Sequence, residues 1–341
     1  MSAAGLCVDE KGFREFIKEG VRVPKGLSES TIRSHIRIVR EFEEFLRRSG
    51  KKRQFIDAKE RDVKAFIKYL AKEDRVGFES LIGLLRYARF SENDDAALSL
   101  LVILSSDILP SLCRSFREKY NKSVQDKVLG GFEPPAIGTS AKRMPKATSE
   151  FLRRLESGIG EEATRKFLED NCPDVGPPEY YADERELFLA SKDVDDYLLK
   201  RRRKFIDELK GHMRNGTLFY TQKIDRDVID FVKNNPEVGV GTRRGHLIIH
   251  TKIPYMTIDY LRERDSRMRR YHYCHCPLAR ESILSGKTMS RNLCYCSAGY
   301  CKRPFEVAFA KPLKAEIMKS VLWGDSICQF AIEIPTELIP L

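Results

Sequence analysis

Six cysteines crowd into a short stretch near the C-terminal end of the chain: Cys274, Cys276, Cys294, Cys296, Cys301 and Cys328. The first four form two Cys-x-Cys pairs with 17 residues between them. Thiols at i and i+2 point to the same side of an extended strand, so each pair can reach one ion. Two such pairs predict a tetrahedral zinc site, with an iron–sulfur cluster as the alternative.

The spacing assigns the predicted ligands. Cys274, Cys276, Cys294 and Cys296 are the expected set, and Cys301 can replace one of them. His275 would point away from a strand face shared by its neighbours, so it becomes a ligand only if the chain turns there. Redox-active thiols, a disulfide and simple burial remain the other interpretations of this cluster.

Other residues near the cysteines suggest a reaction. Arg280 and Glu281 follow Pro277 at an expected helix start, which favours either an anion site for a substrate carboxylate or a salt-bridged surface. Asp325 is a candidate general base or a turn residue, and Cys328 belongs to the site or to the core. Zinc with an open position would activate water, which predicts a metal-dependent hydrolase of a small anionic substrate.

Basic residues are concentrated at the two ends of the chain. The net charge is +11, and residues 241–341 hold 16 Lys and Arg against 9 Asp and Glu. Such a surface suits nucleic acid or a small anion, or it is simply solvated.

One helical stripe near the N-terminus is also basic. It carries Arg33, Arg37 and Arg40, and Lys51, Lys52 and Arg53 follow just past the expected helix end. This array is able to contact a phosphate backbone, although glutamates crowd the same helix and argue against it.

Apolar spacing predicts the elements that position these residues. Helical periodicity recurs in four segments of residues 28–118, the last running from Asp94 to about Tyr120 with a kink at Pro110. Later segments predict helices at 148–170, 194–214, 225–234, 256–270 and 312–322. Strands are expected at 246–250 and 327–334.

These elements predict an α+β protein, with an all-helical N-terminal part before a mixed α/β cysteine-rich domain. The expected divisions are a helical domain at 1–125, a linker at 126–147, a helical middle region at 148–240 and a metal-binding domain at 241–341. No stretch approaches the roughly 20 apolar residues of a membrane span, and the start lacks a signal-peptide pattern. We therefore expect a cytoplasmic protein without a membrane partner.

The helical front resembles the four-helix core-binding domain of tyrosine recombinases. The resemblance covers about residues 28–110 and is carried by Ser30-Thr31-Ile32, Glu41–Leu46, Asp62–Phe66 and Leu84–Tyr87. In that family the domain clamps DNA, which implies a DNA partner for residues 28–120. The sequence has no His-x-x-Arg motif, so strand cleavage is not expected.

The cysteine-rich end resembles an uncharacterised prokaryotic family related to 2-amino-thiazoline-4-carboxylate hydrolases and 4-vinyl reductase domains. The resemblance covers about residues 240–335 and rests on Cys274–Ser282, Cys294–Gly299 and Ser320–Phe330. It implies a small-ligand domain with Asp325 and Cys328 near the site, and hydrolysis of a cyclic amidine as the candidate reaction.

Three functions follow from these observations. The leading hypothesis is a metal-binding protein that hydrolyses a small anionic or sulfur-containing substrate. The alternative is a DNA-binding accessory protein in which the metal only stabilises the C-terminal domain. An iron–sulfur or thiol redox sensor is the third.

Overall fold

The computed structural model describes residues 8–20, 27–49, 54–171 and 178–339. They form two compact units. Unit 1 lies within Met1–Asp107 and includes Ala136–Thr139, and unit 2 lies within Ile108–Pro135 and Ser140–Leu341. The described chain is mostly helical and carries one small antiparallel sheet near its C-terminal end, which confirms the predicted α+β class.

The regular secondary structure in the described part of unit 1 is all helical. Its helices are α1 Glu10–Gly20, α2 Glu29–Arg48, α3 Glu60–Lys72, α4 Phe78–Phe90 and α5 Asp94–Leu104. The Ser28 side chain caps α2 by accepting from the Thr31 amide at 3.1 Å, as its position before the periodic segment predicts. The apolar stripe that includes Ile32, Val39 and Phe42 is buried, so the opposite face of α2 is exposed.

Aromatic rings and one asparagine hold unit 1 together. The Phe42 ring stacks on Phe66 at 4.8 Å and meets Phe55 edge-on at 5.1 Å. The Asn93 side chain caps α5 and also donates to the carbonyls of Phe55 and Ala58, at 2.8 and 2.9 Å. The segment before α3 is thereby fixed against the start of α5.

Unit 2 contains the remaining helices of the described chain. They are α6 Ile108–Lys119, α7 Lys122–Leu129, α8 Met144–Ile159, α9 Glu161–Asp170, α10 Ala182–Leu189, α11 Val194–Asn215, α12 Arg226–Asn234, α13 Thr257–Arg262, α14 Ser266–Tyr273, α15 Arg280–Ser285 and α16 Tyr295–Phe309. The helix expected from Asp94 to Tyr120 is interrupted by a 3-10 turn at Ser105–Asp107, one turn before the predicted break at Pro110. The expected linker at 126–147 holds the second half of α7 and the start of α8.

The sheet of unit 2 has strands β1 Thr242–Arg244, β2 Leu247–Thr251, β3 Ala315–Lys319 and β4 Gln329–Glu333. Its order is β1-β2-β4-β3, and every neighbouring pair is antiparallel. β2 and β4 confirm the two predicted strands. The helix predicted at 312–322 is wrong, because β3 and a 3-10 turn occupy that segment. Pairing with β4, which places Ile317 opposite Phe330, overrides the local helical pattern.

One face of the sheet is covered by α16. Phe305 of α16 is fully buried in the same core as Ile248 of β2 and Phe330 of β4. On its other side α16 meets α9 at Gly299, where a β-carbon would lie only 2.0 Å from the Glu169 carbonyl oxygen. This close approach fixes the helix that follows Cys294.

One helical stretch, Asp94–Lys119, is long and apolar enough to cross a membrane by length and composition alone. The protein itself buries 61% of its most apolar window, as is usual for core helices of soluble proteins.

Candidate functional site

The exposed face of α2 carries the arginines predicted to contact DNA. Arg33, Arg37 and Arg40 all face solvent and line one shallow groove with Glu10 and Arg14 of α1. Arg40 is already engaged, because its guanidinium binds Glu10. Arg33 and Arg37 form no ion pair within the described part of the chain. Lys51, Lys52 and Arg53 lie outside the described residues.

The glutamates that argued against DNA contact each have a partner. Glu29 pairs with Arg14 at 2.8 Å, and this bond holds the Glu29 pKa below its ordinary value. Glu41 pairs with Arg75 at 2.6 Å, and Glu44 pairs with Arg48. Glu43 is buried and accepts from the Phe55 amide at 2.6 Å. Ion pairs therefore compensate the negative charges of Glu29, Glu41 and Glu44, whereas the positive charges of Arg33 and Arg37 have no such partner among the described residues.

A second basic stripe was missed by the sequence reasoning. Arg61, Lys64, Lys68 and Lys72 are all exposed on α3. Lys64 pairs with Glu60, but Lys68 and Lys72 make no ion pair with any described residue. Their i, i+4 spacing, opposite the apolar face that contains Phe66, was the available signal.

In unit 2, four of the cysteines converge from separate segments. Cys274 ends α14, Cys276 lies in the following turn, Cys294 closes a 3-10 turn before α16, and Cys328 precedes β4. Each of the other three thiols, if ionised, would raise the pKa of Cys274. Cys328, expected near the site but not as a ligand, is thus a member of the thiol cluster.

A serine joins two of these thiols. The Cys294 Sγ lies 3.1 Å from the Ser320 Oγ, and the same hydroxyl hydrogen-bonds Cys328. Burial raises the pKa of Cys274, Cys294 and Cys328, and it raises the pKa of Cys301 to about 12. The neutral thiol is the favoured form, which makes these sulfurs poor nucleophiles.

The other predicted ligands lie around this cluster or away from it. Cys301 is buried in α16, near enough to Cys328 for the two thiols to interact. Cys296 instead packs at the edge of a neighbouring hydrophobic core on α16. The strand geometry expected for both Cys-x-Cys pairs is wrong, because the first pair spans a helix end and Cys296 is helical.

The predicted ligands, as they lie in the described part of the chain, are not grouped as a metal site. Within residues 8–20, 27–49, 54–171 and 178–339, no three His, Cys, Asp or Glu side chains form a group suited to a metal ion. The zinc site, and its iron–sulfur alternative, stay predictions. Zinc and iron determination on anaerobically purified protein, with an absorption spectrum, decides between them.

His275 lies in the non-helical segment between α14 and α15, and its ring is engaged in another contact. The Nε2 atom lies 2.6 Å from the carbonyl oxygen of Ile253 and must carry the proton to make this bond. Burial, followed by the positive charge of Lys252, lowers the pKa of His275 well below its ordinary value. The imidazole is therefore neutral.

Arg280 and Glu281 take up different positions at the start of α15. The Arg280 guanidinium lies between the rings of Tyr271 and Tyr255, at 4.1 and 4.8 Å from the ring centres. Glu281 accepts a hydrogen bond from the Tyr271 hydroxyl at 2.8 Å. The sequence suggested a salt-bridged helix surface as the alternative to an anion site. In the described residues, both side chains contact tyrosines instead.

Asp325 has a structural role in the turn before β4. Its carboxylate accepts from the Ser320 amide at 2.9 Å, and the Asp325 amide donates back to the Ser320 carbonyl at 3.2 Å. Gly324 adopts a φ of 104°, which favours glycine at this turn. Asp325 therefore orders the serine that contacts Cys294 and Cys328, and its role as a general base stays a prediction.

Part of each unit matches a known protein family. Residues 13–88 match the phage integrase N-terminal SAM-like domain. Residues 260–339 match a family of unknown function, DUF6144. No curated protein and no solved structure gives a significant match. The first match confirms the resemblance of the helical front to the recombinase domain. The relationship of the C-terminal part to thiazoline-carboxylate hydrolases or vinyl reductase domains stays a prediction.

Proposed function

We propose that this chain is a DNA-binding protein whose unit 1 holds the phosphate backbone of a duplex. The observation that carries the proposal is the match of residues 13–88 to the integrase SAM-like domain. The match spans α2, α3 and most of α4, the same helices that expose the basic side chains.

The charges of α2 and α3 support this function. Arg33 and Arg37 on α2, and Lys68 and Lys72 on α3, are exposed and make no ion pair with a described residue. Cations without a protein partner are free to replace the counterions of DNA, and release of those ions drives association. Phosphate contacts carry no sequence information, so the proposed binding is largely independent of sequence.

The test is a titration of the full-length protein with duplex DNA at several salt concentrations. If all four side chains reach phosphates, the slope of log K against log[salt] is about −3.6, at about −0.9 per contact. The double variant R33A/R37A should lose about 2 units of that slope. K68A/K72A measures the share of α3 in the same way.

A charge-matched control separates contact from general attraction. Lys11 on α1 and Arg89 on α4 are also exposed cations without an ion-pair partner in the described residues. K11A/R89A therefore removes the same charge from unit 1 and should leave the slope almost unchanged. A flat salt response of the unmodified protein contradicts DNA binding. An equal loss of slope in R33A/R37A and in K11A/R89A contradicts the assignment to α2.

A further inference from the structure

Glu10 of α1 binds one of the three arginines in the basic stripe of α2. Arg33, Arg37 and Arg40 follow one another at intervals of four and three residues, which places them on one face of the helix. The Arg40 Nε donates to the Glu10 Oε1 at 2.6 Å, and its Nη2 contacts the same oxygen. Arg33 and Arg37 form no ion pair with a described residue. Arg40 therefore lies where a phosphate contact is expected, but a carboxylate takes the place of the phosphate.

The packing of α1 sets the position of Glu10. Phe13 and Ile17 are fully buried in the core of unit 1, and Glu10 lies in the first turn of the same helix. The Asp9 side chain accepts from the Gly12 amide at 2.9 Å at the start of α1. Because these contacts hold α1 without the Glu10 side chain, the helix should remain in place when that carboxylate is neutralised.

The contact between Glu10 and Arg40 is an exposed ion pair that joins two helices. The Arg40 side chain is 50% exposed and that of Glu10 is 34% exposed, so the pair contributes little to stability. Glu41, which lines the same groove, differs because Arg75 neutralises it from outside the α2 stripe. Glu10 therefore removes a charge from the stripe, whereas Glu41 does not.

A DNA phosphate that approaches Arg40 meets the Glu10 carboxylate at the same position. The two anions repel each other, and both require the Nε and Nη2 donors of one guanidinium. Arg33 and Arg37 have no such competitor among the described residues. The free arginines can thus contact phosphates while Arg40 stays bound within the protein.

We propose that Glu10 is an autoinhibitory residue that withholds Arg40 from DNA. Arg40 is then a further phosphate-contacting residue of the α2 stripe, available only when the Glu10 carboxylate is removed or neutralised. The inference rests on the DNA-binding function proposed for unit 1 and adds a means by which α1 limits it.

The test is the salt titration of the full-length protein with duplex DNA, repeated with E10Q. This substitution keeps the shape of the side chain and removes its charge. The slope of log K against log[salt] should steepen from about −3.6 to about −4.5, because one more phosphate contact adds about −0.9. Between about 50 and 200 mM salt, E10Q should therefore lose about 3.5-fold more affinity than the unmodified protein. E10A, which removes the carboxylate altogether, should give the same slope as E10Q.

Substitution of Arg40 in both backgrounds isolates the pair. R40A alone should leave the slope of the unmodified protein almost unchanged, because Arg40 is already bound by Glu10. E10Q/R40A should instead return the slope from about −4.5 to about −3.6. Such a difference between the two backgrounds measures the coupling of Glu10 and Arg40 directly.

Glu15 supplies the matched control, because it is exposed on α1 and forms no ion pair with a described residue. E15Q removes the same charge without releasing an arginine and should keep the slope of the unmodified protein. If the unmodified protein binds DNA but E10Q has the same slope, autoinhibition is overturned and the proposed function stands. An equal change in E15Q, or a loss of slope in R40A alone, also overturns it. A flat salt response of the unmodified protein contradicts DNA binding itself, and this inference with it.

Discussion

Replacement of Lys302 is the sharpest test of how unit 2 holds α16 in place. Its ammonium lies 2.8 Å from Glu169 and 3.3 Å from Glu306, and it donates to the Leu313 carbonyl at 2.9 Å. The three charged side chains are only 10, 15 and 12% exposed. In K302A Glu169 loses its cation while remaining buried, and Glu306 keeps only the Arg303 guanidinium, at 3.3 Å. Breaking such a pair costs about 3–5 kcal/mol of unfolding free energy.

The loss in K302A should depend on pH. Burial raises the pKa of Glu169 above the value of 4.5 of an exposed carboxyl, and Lys302 opposes that rise. Without the lysine the folded-state pKa rises further. An acid whose pKa is raised on folding destabilises the protein as the pH rises from its unfolded pKa through its folded pKa. K302A should therefore lose more stability at pH 8 than at pH 5.

Urea denaturation followed by circular dichroism at both pH values measures this effect. The control is K166A, because Lys166 forms an exposed ion pair with Asp170 on the surface of α9. Exposed pairs contribute little, so K166A should unfold almost as the unmodified protein does. A loss below about 1 kcal/mol in K302A, equal at both pH values, would refute the reasoning.

Three further substitutions or treatments test the packing. G299A should lose about 1–3 kcal/mol or more in urea denaturation, because its β-carbon meets the Glu169 carbonyl; G211A on α11, with open space around it, should be neutral or gain up to about 1 kcal/mol. N93A should lose about 2–4 kcal/mol, since it removes the α5 cap and two buried donors; N93D keeps the cap but turns a carboxylate oxygen toward the Phe55 and Ala58 carbonyls, so it should lose at least as much, and a clearly smaller loss in N93D would contradict the role of the two donors. Under native iodoacetamide treatment followed by mass spectrometry, Cys274 and Cys294 should be modified later than Cys296, and early labelling of Cys274 would contradict the buried thiol cluster.

Local sequence patterns predicted most of the helices and two of the strands. The prediction of helix α2 was correct because the Ser28 cap and the apolar spacing of Ile32 and Phe42 agree with the burial of those two side chains. The helix predicted at 312–322 was wrong because this segment becomes strand β3 by pairing with β4, which lies further along the sequence. The class of a short segment is decided by such pairing more than by its own residues.

The candidate sites were less predictable, because they depend on distant residues. Spacing alone paired Cys296 with Cys294, whereas the fold brings Cys328 to Cys294 through the Ser320 hydroxyl. The basic stripe of α3, by contrast, was readable from the spacing of Lys64, Lys68 and Lys72.

The salt dependence of duplex binding tests the central claim most directly. The slope of log K against log[salt] should be about −3.6 for the full-length protein. R33A/R37A should reduce the magnitude of that slope by about 2, and K11A/R89A should leave it unchanged. A full-length protein whose binding is absent, or does not change between about 50 and 200 mM salt, would contradict the proposed function.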